Sequence, residues 1–168
     1  SKQTIAVQGG YEPMDGETRV LPIYQSATYK YSDPDYLQEL FDLKAEGHLY
    51  SRISNPTVNA LEKKFAMLEG GVGAVATSSG QSAILLAVLN LCKAGDNIIS
   101  VSSLYGGTIN LFNVHLKNLG IETRFVNPDA SKEEIIALAD ENTKLVYGET
   151  IGNPGLNILD FAQFNEVC

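Results

Sequence analysis

From Pro56 onward the apolar positions fall into short blocks whose spacing changes in a regular order. Val58, Leu61, Phe65 and Leu68 recur at helical spacing, and Gly70-Gly71 closes the run, which predicts a helix. Ala74 to Thr77 is a short apolar run that predicts a strand. Ser78-Ser79-Gly80 then opens a helix through Ile84, Leu85, Val88, Leu89 and Leu91. Gly95-Asp96 marks a turn, and Ile98-Ile99-Ser100-Val101 predicts a strand buried on both faces. Ile109, Phe112, Leu116 and Leu119 form the next helical face, stopped by Gly120, and Ile121 to Val126 predicts a strand. Ser131 with Glu134 is a capping box that opens a helix through Ile135, Ile136 and Leu138. Leu145-Val146-Tyr147 predicts another strand, and Asp160 caps a last helix that reaches Cys168.

Helix and strand therefore alternate from residue 56 to residue 168 with short connections. That order predicts an α/β domain with a mainly parallel sheet and flanking helices. Residues 1–55 differ. They are polar and rich in Pro and Tyr (Pro13, Pro22, Tyr24, Tyr29, Tyr31, Pro34), and only Tyr36 to Glu46 carries a helical stripe, through Leu37, Leu40, Phe41 and Leu43. A segment with so few apolar positions builds no core of its own. It is expected to be an extended arm lying against another domain or subunit.

Composition narrows the class. With 44% hydrophobic and 19% charged residues, the 168-residue chain has an ordinary globular balance. No apolar run approaches the ~20 residues a membrane span needs, and Ser1-Lys2-Gln3-Thr4 does not begin a signal peptide. A net charge of −8 argues against a nucleic-acid partner but leaves room for one small phosphate held by a local group of donors. Cys92 and Cys168 form neither a disulfide framework nor a metal-ligand pattern, and Cys92, closing an apolar run, is expected to be a core thiol. The expected compartment is the cytoplasm.

Ligands of open parallel sheets sit at the carboxyl ends of strands, where helix N-termini converge. Three segments occupy such exits. Ser78-Ser79-Gly80-Gln81 has the makings of an anion cup, because Gly80 admits close approach and the first-turn amides favour a phosphate. A plain helix cap by Ser78 or Ser79 explains the same residues. Tyr105, beside Gly106 and Gly107, offers an aromatic face to a flat heterocycle, or is simply a turn residue. Asn153, held away from helix by Pro154, can direct its amide to a hydroxyl or carboxylate, or merely shape a turn. A fourth segment lies in the arm. Arg52 carries a planar fork of donors suited to phosphate, and an extended backbone would put Tyr50 on the same face; an ordinary exposed Arg near a helix cap is the alternative.

Taken in order, Tyr50-Ser51-Arg52-Ile53-Ser54-Asn55-Pro56-Thr57, Ser78-Ser79-Gly80-Gln81-Ser82-Ala83, Leu104-Tyr105-Gly106-Gly107-Thr108 and Glu149-Thr150-Ile151-Gly152-Asn153-Pro154 resemble the Cys/Met-metabolism pyridoxal-phosphate enzymes. Pro22-Ile23-Tyr24-Gln25-Ser26 fits as well, so the resemblance runs from about Val20 to the last residue. It implies the first part of an aspartate-aminotransferase-like (fold type I) domain, with pyridoxal 5'-phosphate as cofactor. By this resemblance Ser79 and the amides of Gly80 and Gln81 hold the cofactor phosphate. Tyr105 stacks on the pyridine ring and assists proton transfer or leaving-group departure. Asn153 contacts the ring oxygen and the substrate carboxylate side, and Glu149 orders its loop. Tyr50 and Arg52 reach the phosphate of a neighbouring subunit's cofactor, so the arm serves assembly into a homo-oligomer, a dimer of dimers.

Within the family, Leu40 to Gly47, Ala94-Gly95-Asp96 and Ser102 to Thr108 look like the sulfhydrylase branch. The position two residues after Tyr105, commonly Cys in methionine γ-lyases, is Gly107. That branch implies γ-replacement on O-acetylhomoserine by sulfide or a thiol. Cystathionine-forming or cleaving enzymes and methionine γ-lyases stand as alternatives. The resemblance also implies that the Asp paired with the pyridine nitrogen and the Schiff-base Lys lie beyond Cys168, so that these residues alone are inactive. A non-catalytic binding or assembly module is the reading from another class.

Overall fold

Buried apolar side chains fall unevenly along the chain. The computed structural model describes Ser1–Val167, which form two compact units, Ser1–Ala76 and a second that starts at Thr77. Among the described residues of the first unit, the buried apolar side chains are Leu40 and Ala60. That unit holds three helices, α1 (Lys2–Gln8), α2 (Pro34–Phe41) and α3 (Pro56–Glu69). Helix α1 carries no buried residue, so no apolar stripe announced it; Ser1 caps it, and it lies against α3. Helix α2 starts where Asp33 accepts from the Asp35 and Tyr36 amides, with Pro34 in the first turn. It was expected to reach Glu46 but stops at Phe41, and Leu43 takes a left-handed φ of 57° that no α-helix accommodates. Helix α3 has the expected extent, from its Asn55 cap to a left-handed Gly70.

In the first compact unit, which reaches Ala76, α3 packs with α1. One expectation for this region needs revision. Ala74 to Thr77 is not a strand: the Ala76 amide donates to the Glu62 carboxylate at 2.7 Å, and Val75 is 82% exposed. A strand needs a ladder partner, and none among the described residues pairs with this run.

The second unit has the expected architecture. Strand β1 (Asn97–Val101) is buried at every position, and Ile98 and Ile99, which point to opposite faces, are both fully enclosed. It is the centre of a three-stranded parallel sheet of order β2-β1-β3, between β2 (Glu122–Val126) and β3 (Thr143–Tyr147). Helix α4 (Gly80–Leu91) precedes β1 and packs beside β3. Helix α5 (Gly106–Asn110) follows β1 and runs into a π-helical stretch, Leu111–Leu116, which packs on β2. The wider π turns bury Leu111, Phe112 and Leu116 together, and the Phe112 ring meets Tyr147 edge-on at 5.1 Å. Helix α6 (Lys132–Ile136) starts in the expected Ser131–Glu134 capping box, and α7 (Phe161–Val167) follows Asp160, which accepts from the Gln163 amide. Cys92 is a free, buried thiol, whereas Cys168 lies outside the described residues. No helix among the described residues is long and apolar enough to cross a membrane.

Polar groups close the amino edge of the sheet. Asn97 donates to Asp140 at 2.8 Å and accepts from Thr143, while Arg124 spans Glu122, Asp140 and the Leu138 carbonyl. The Asn97 hydrogen bond, then those from Arg124 and the Asn142 amide, lower the Asp140 pKa from 3.8 to about 2. A carboxylate whose folded pKa is depressed contributes stability above its unfolded pKa and loses it as pH falls through the folded one. Thermal midpoints should therefore drop between pH 4 and 2 in the wild-type protein. Asp140→Asn should lower the midpoint at neutral pH and flatten that acid limb; an unchanged limb would assign the loss to other carboxylates.

Candidate functional site

A parallel sheet of order β2-β1-β3 sends its chain to opposite sides of β1, first to β2 and then across to β3. The carboxyl ends of β1 and β3 are therefore the place where connections part and leave a crevice. The segment leaving β1 carries Ser103 and Tyr105, and the segment leaving β3 carries Glu149 and Asn153.

One carboxylate ties the two exits together. Glu149 accepts from the Tyr105 amide at 3.1 and 3.2 Å through its two oxygens. Tyr105 is the N-cap of α5 yet makes no side-chain cap, so Glu149 fixes this helix start from across the crevice. The Thr108 hydroxyl, completely buried, donates to Glu149 Oε1 at 3.3 Å and accepts from Gln81 Nε2 at 3.2 Å. The first turn of α4, the first turn of α5 and the exit of β3 thus share one chain of hydrogen bonds. Nearby, burial and then the Glu149 charge push the Tyr147 phenol up to about 12, which keeps it neutral at ordinary pH.

The start of α4 has the geometry of an anion cup. Ser79 Oγ accepts from the Ser82 amide at 3.1 Å, so the cap explanation for Ser79 holds. Capping leaves the Gly80 and Gln81 amides with no protein acceptor among the described residues, and the space where a Gly80 side chain would sit is open. Tyr105 is 54% exposed. Its ring lies over Gly107, where a Cβ would come within 2.5 Å of Tyr105 Cε1, so a side chain at 107 would displace it.

Asn153 is exposed at the tip of a short antiparallel loop. Ile151 bridges Ile158, the Leu159 amide reaches the Thr150 carbonyl, and the Gly152 amide reaches the Asn157 carbonyl at 2.8 Å. Ser103 Oγ donates to Asn157 Oδ1 at 2.5 Å, which ties this loop to the same segment that carries Tyr105. Gly152 sits against both side chains, and no larger residue fits between them.

Tyr50 and Arg52 lie in the first unit. The backbone does not run extended there; it turns through Ser51 to Ile53, with the Ile53 and Ser54 amides on the Tyr50 carbonyl. The two side chains meet all the same, the guanidinium carbon standing 5.2 Å from the Tyr50 ring centre. The turn is braced by Asn55, a buried hub whose side-chain NH2 lies within hydrogen-bond distance of the Tyr24 carbonyl, the Tyr29 hydroxyl and the Ser51 hydroxyl while its oxygen caps α3. His48 Nδ1 pairs with Ser54 Oγ at 3.0 Å, and burial followed by the charge of Lys63 lowers its pKa. Sequence reasoning singled out neither Thr108, Ser103 nor Asn157. Thr108 stood inside a quoted motif, but a Thr in a helix's first turn signals nothing until its partners, distant in sequence, are known.

The donor set suits a flat, phosphorylated ring: free amides on a 12-residue helix, an exposed aromatic face and an exposed amide at one sheet edge. Residues 3–168 match the model of the Cys/Met metabolism PLP-dependent enzymes. The chain is 50% identical over 159 residues to O-acetyl-L-homoserine sulfhydrylase 1 of Thermus thermophilus, covering 94% of this chain and 38% of that protein. It is 50% identical over 168 residues to homocysteine synthase of Schizosaccharomyces pombe, covering 99% and 39%. A solved Campylobacter jejuni structure carrying N'-pyridoxyl-lysine-5'-monophosphate superposes with a TM-score of 0.90 at 35% identity, over 99% of this chain and 41% of that one. The chain thus spans well under half the length of the relatives it matches, and it belongs to the Cys/Met metabolism PLP-dependent enzyme family, with the fold type I α/β architecture.

Proposed function

We propose that the protein catalyses γ-replacement on O-acetylhomoserine, with sulfide or a thiol as the incoming group and acetate as the product released. The observation that carries this reading is the connected edge of the sheet: free Gly80 and Gln81 amides joined through Thr108 and Glu149 to an exposed Tyr105. The choice of substrate rests on similarity to proteins named for O-acetyl-L-homoserine sulfhydrylase and homocysteine synthase activity.

Each residue has a distinct task. Gly80 and Gln81 donate their amides to the phosphate, aided by the positive end of α4, and Ser79 fixes the cap that presents them. Tyr105 covers one face of the pyridine ring, excludes water from it, and holds a proton at its phenol oxygen for the departing group. Asn153 directs its amide to the ring oxygen and the substrate carboxylate side. Bound pyridoxal phosphate supplies the electron sink that makes proton removal next to the amino group feasible. Tyr50 and Arg52 serve the phosphate of a neighbouring subunit, and the cation–π contact holds the guanidinium ready. A first unit with so few buried apolar side chains supports this arm role, because such a segment gains stability by lying on a partner. The same reading gives a homotetramer in the cytoplasm.

Three measurements follow, each on protein expressed from its complete gene. Incubated with O-acetylhomoserine and sulfide, it should form homocysteine faster than it cleaves cystathionine or methionine. Faster turnover of cystathionine, with no homocysteine from the acetyl ester, contradicts the substrate assignment.

Tyr105→Ala should weaken cofactor retention and lower kcat, whereas Tyr105→Phe should retain the cofactor and still lose rate. General acid–base help of this kind is worth about 10²-fold or more. A Phe variant as fast as wild type would leave Tyr105 as a stacking platform alone.

Mixing Arg52→Ala chains with Tyr105→Ala chains, each nearly inactive, tests the shared site. Random pairing should restore activity to about a quarter of wild type, since mixed dimers then contain one site with both residues intact. No recovery despite demonstrated subunit exchange would mean that Arg52 serves its own chain.

A further inference from the structure

Among the described residues, the Thr108 hydroxyl is the group that touches both Gln81, in the first turn of α4, and Glu149, at the exit of β3. It has a single proton to donate and lone pairs to accept with, and its partners use both capacities. The proton goes to the Glu149 carboxylate at 3.3 Å, and a lone pair takes the Gln81 side-chain amide at 3.2 Å. Thr108 is completely buried, so water cannot take the hydroxyl's place. Gln81 and Glu149 have no hydrogen bond to each other among the described residues, and what passes between them passes through this oxygen. Beyond Glu149 stands the Tyr105 amide, and beyond the Gln81 side chain stands its own free backbone amide at the start of α4.

We infer that Thr108 is a positioning residue that sets the phosphate-binding turn of α4 and the stacking Tyr105 in register with each other. The inference rests on the cofactor reading above. A phosphate and a pyridine ring belong to one rigid molecule, so both grips must be at the right separation at once. A deviation of an ångström at either grip sacrifices the other. A buried hydroxyl shared by both supports fixes that separation without touching the cofactor. Removing it leaves a Gln81 N–H and a Glu149 oxygen short of a partner in a half-buried site, where unmade hydrogen bonds are costly.

The test uses protein expressed from its complete gene, stripped of cofactor and titrated with pyridoxal 5'-phosphate. Visible absorbance gives the dissociation constant, and visible circular dichroism gives the ring's fixed orientation. Thr108→Val, which keeps the shape and loses the hydroxyl, should weaken binding about tenfold and reduce the dichroism. Thr108→Ser should restore both to within about twofold. Gln81→Met and Glu149→Gln should show coupled, non-additive losses, and the coupling should vanish when Thr108→Val is added. If Thr108→Val does not fold, the Gln81→Met and Glu149→Gln cycle decides by itself, and strict additivity overturns the inference. Wild-type binding with an unaffected Thr108→Val variant overturns the inference and leaves the functional reading intact. A wild-type protein that does not take up pyridoxal 5'-phosphate overturns both.

Discussion

The contact between the Glu149 carboxylate and the Tyr105 amide joins two strands' exits that the sheet topology would otherwise leave apart. Strands β1 and β3 are neighbours, but the chain departs from their carboxyl ends in different directions, so side chains there have no automatic relation to one another. A carboxylate on a backbone N–H is a charge-assisted bond, and here the one N–H is shared between both oxygens, at 3.1 and 3.2 Å. It holds the N-cap backbone of α5, from which Tyr105 projects. Ser103 and Asn157 make the reciprocal connection, from the β1 exit to the loop of Asn153. Tyr105 and the Asn153 loop are thereby each supported from the exit of the other's strand.

The two edges of the sheet use polar residues for different ends. At the amino edge, Asn97, Arg124, Asp140 and Thr143 spend their hydrogen bonds on one another. At the carboxyl edge the hydrogen bonds hold backbone segments and leave the Gly80 and Gln81 amides, the Tyr105 ring and the Asn153 side chain unspent. That asymmetry is what makes one edge a frame and the other a site. Glycine completes it, since the ring of Tyr105 lies where a side chain at 107 would be, and Gly152 lets Asn157 reach Ser103.

The parallel sheet was legible because β1 is a short apolar run, β2 and β3 end in apolar residues (Phe125-Val126 and Leu145-Val146-Tyr147), and all three alternate with helical stretches, patterns that depend on neighbours in sequence. The motif residues of the carboxyl edge were legible as types, Gly at close approaches and Tyr or Asn at exits, and as a family resemblance. What was not legible depends on partners distant in sequence. Ala74 to Thr77 reads as a strand by its side chains alone, yet a strand exists only with a ladder partner. Helix α1 buries nothing, so it leaves no periodic trace. Thr108 and Asn157 are small polar residues whose role comes from Gln81, Glu149 and Ser103, which lie far away along the chain. The turn at Tyr50 to Ile53 likewise follows from Asn55 and its contacts to Tyr24 and Tyr29.

The most direct measurement is a crystal structure of the protein from its complete gene, grown with pyridoxal 5'-phosphate. Phosphate oxygens should lie at hydrogen-bond distance, about 3 Å, from the Gly80 and Gln81 amides, with the ring stacked on Tyr105 while Glu149 still holds the Tyr105 amide. A phosphate seated elsewhere, with Tyr105 turned away from the ring, would contradict the account.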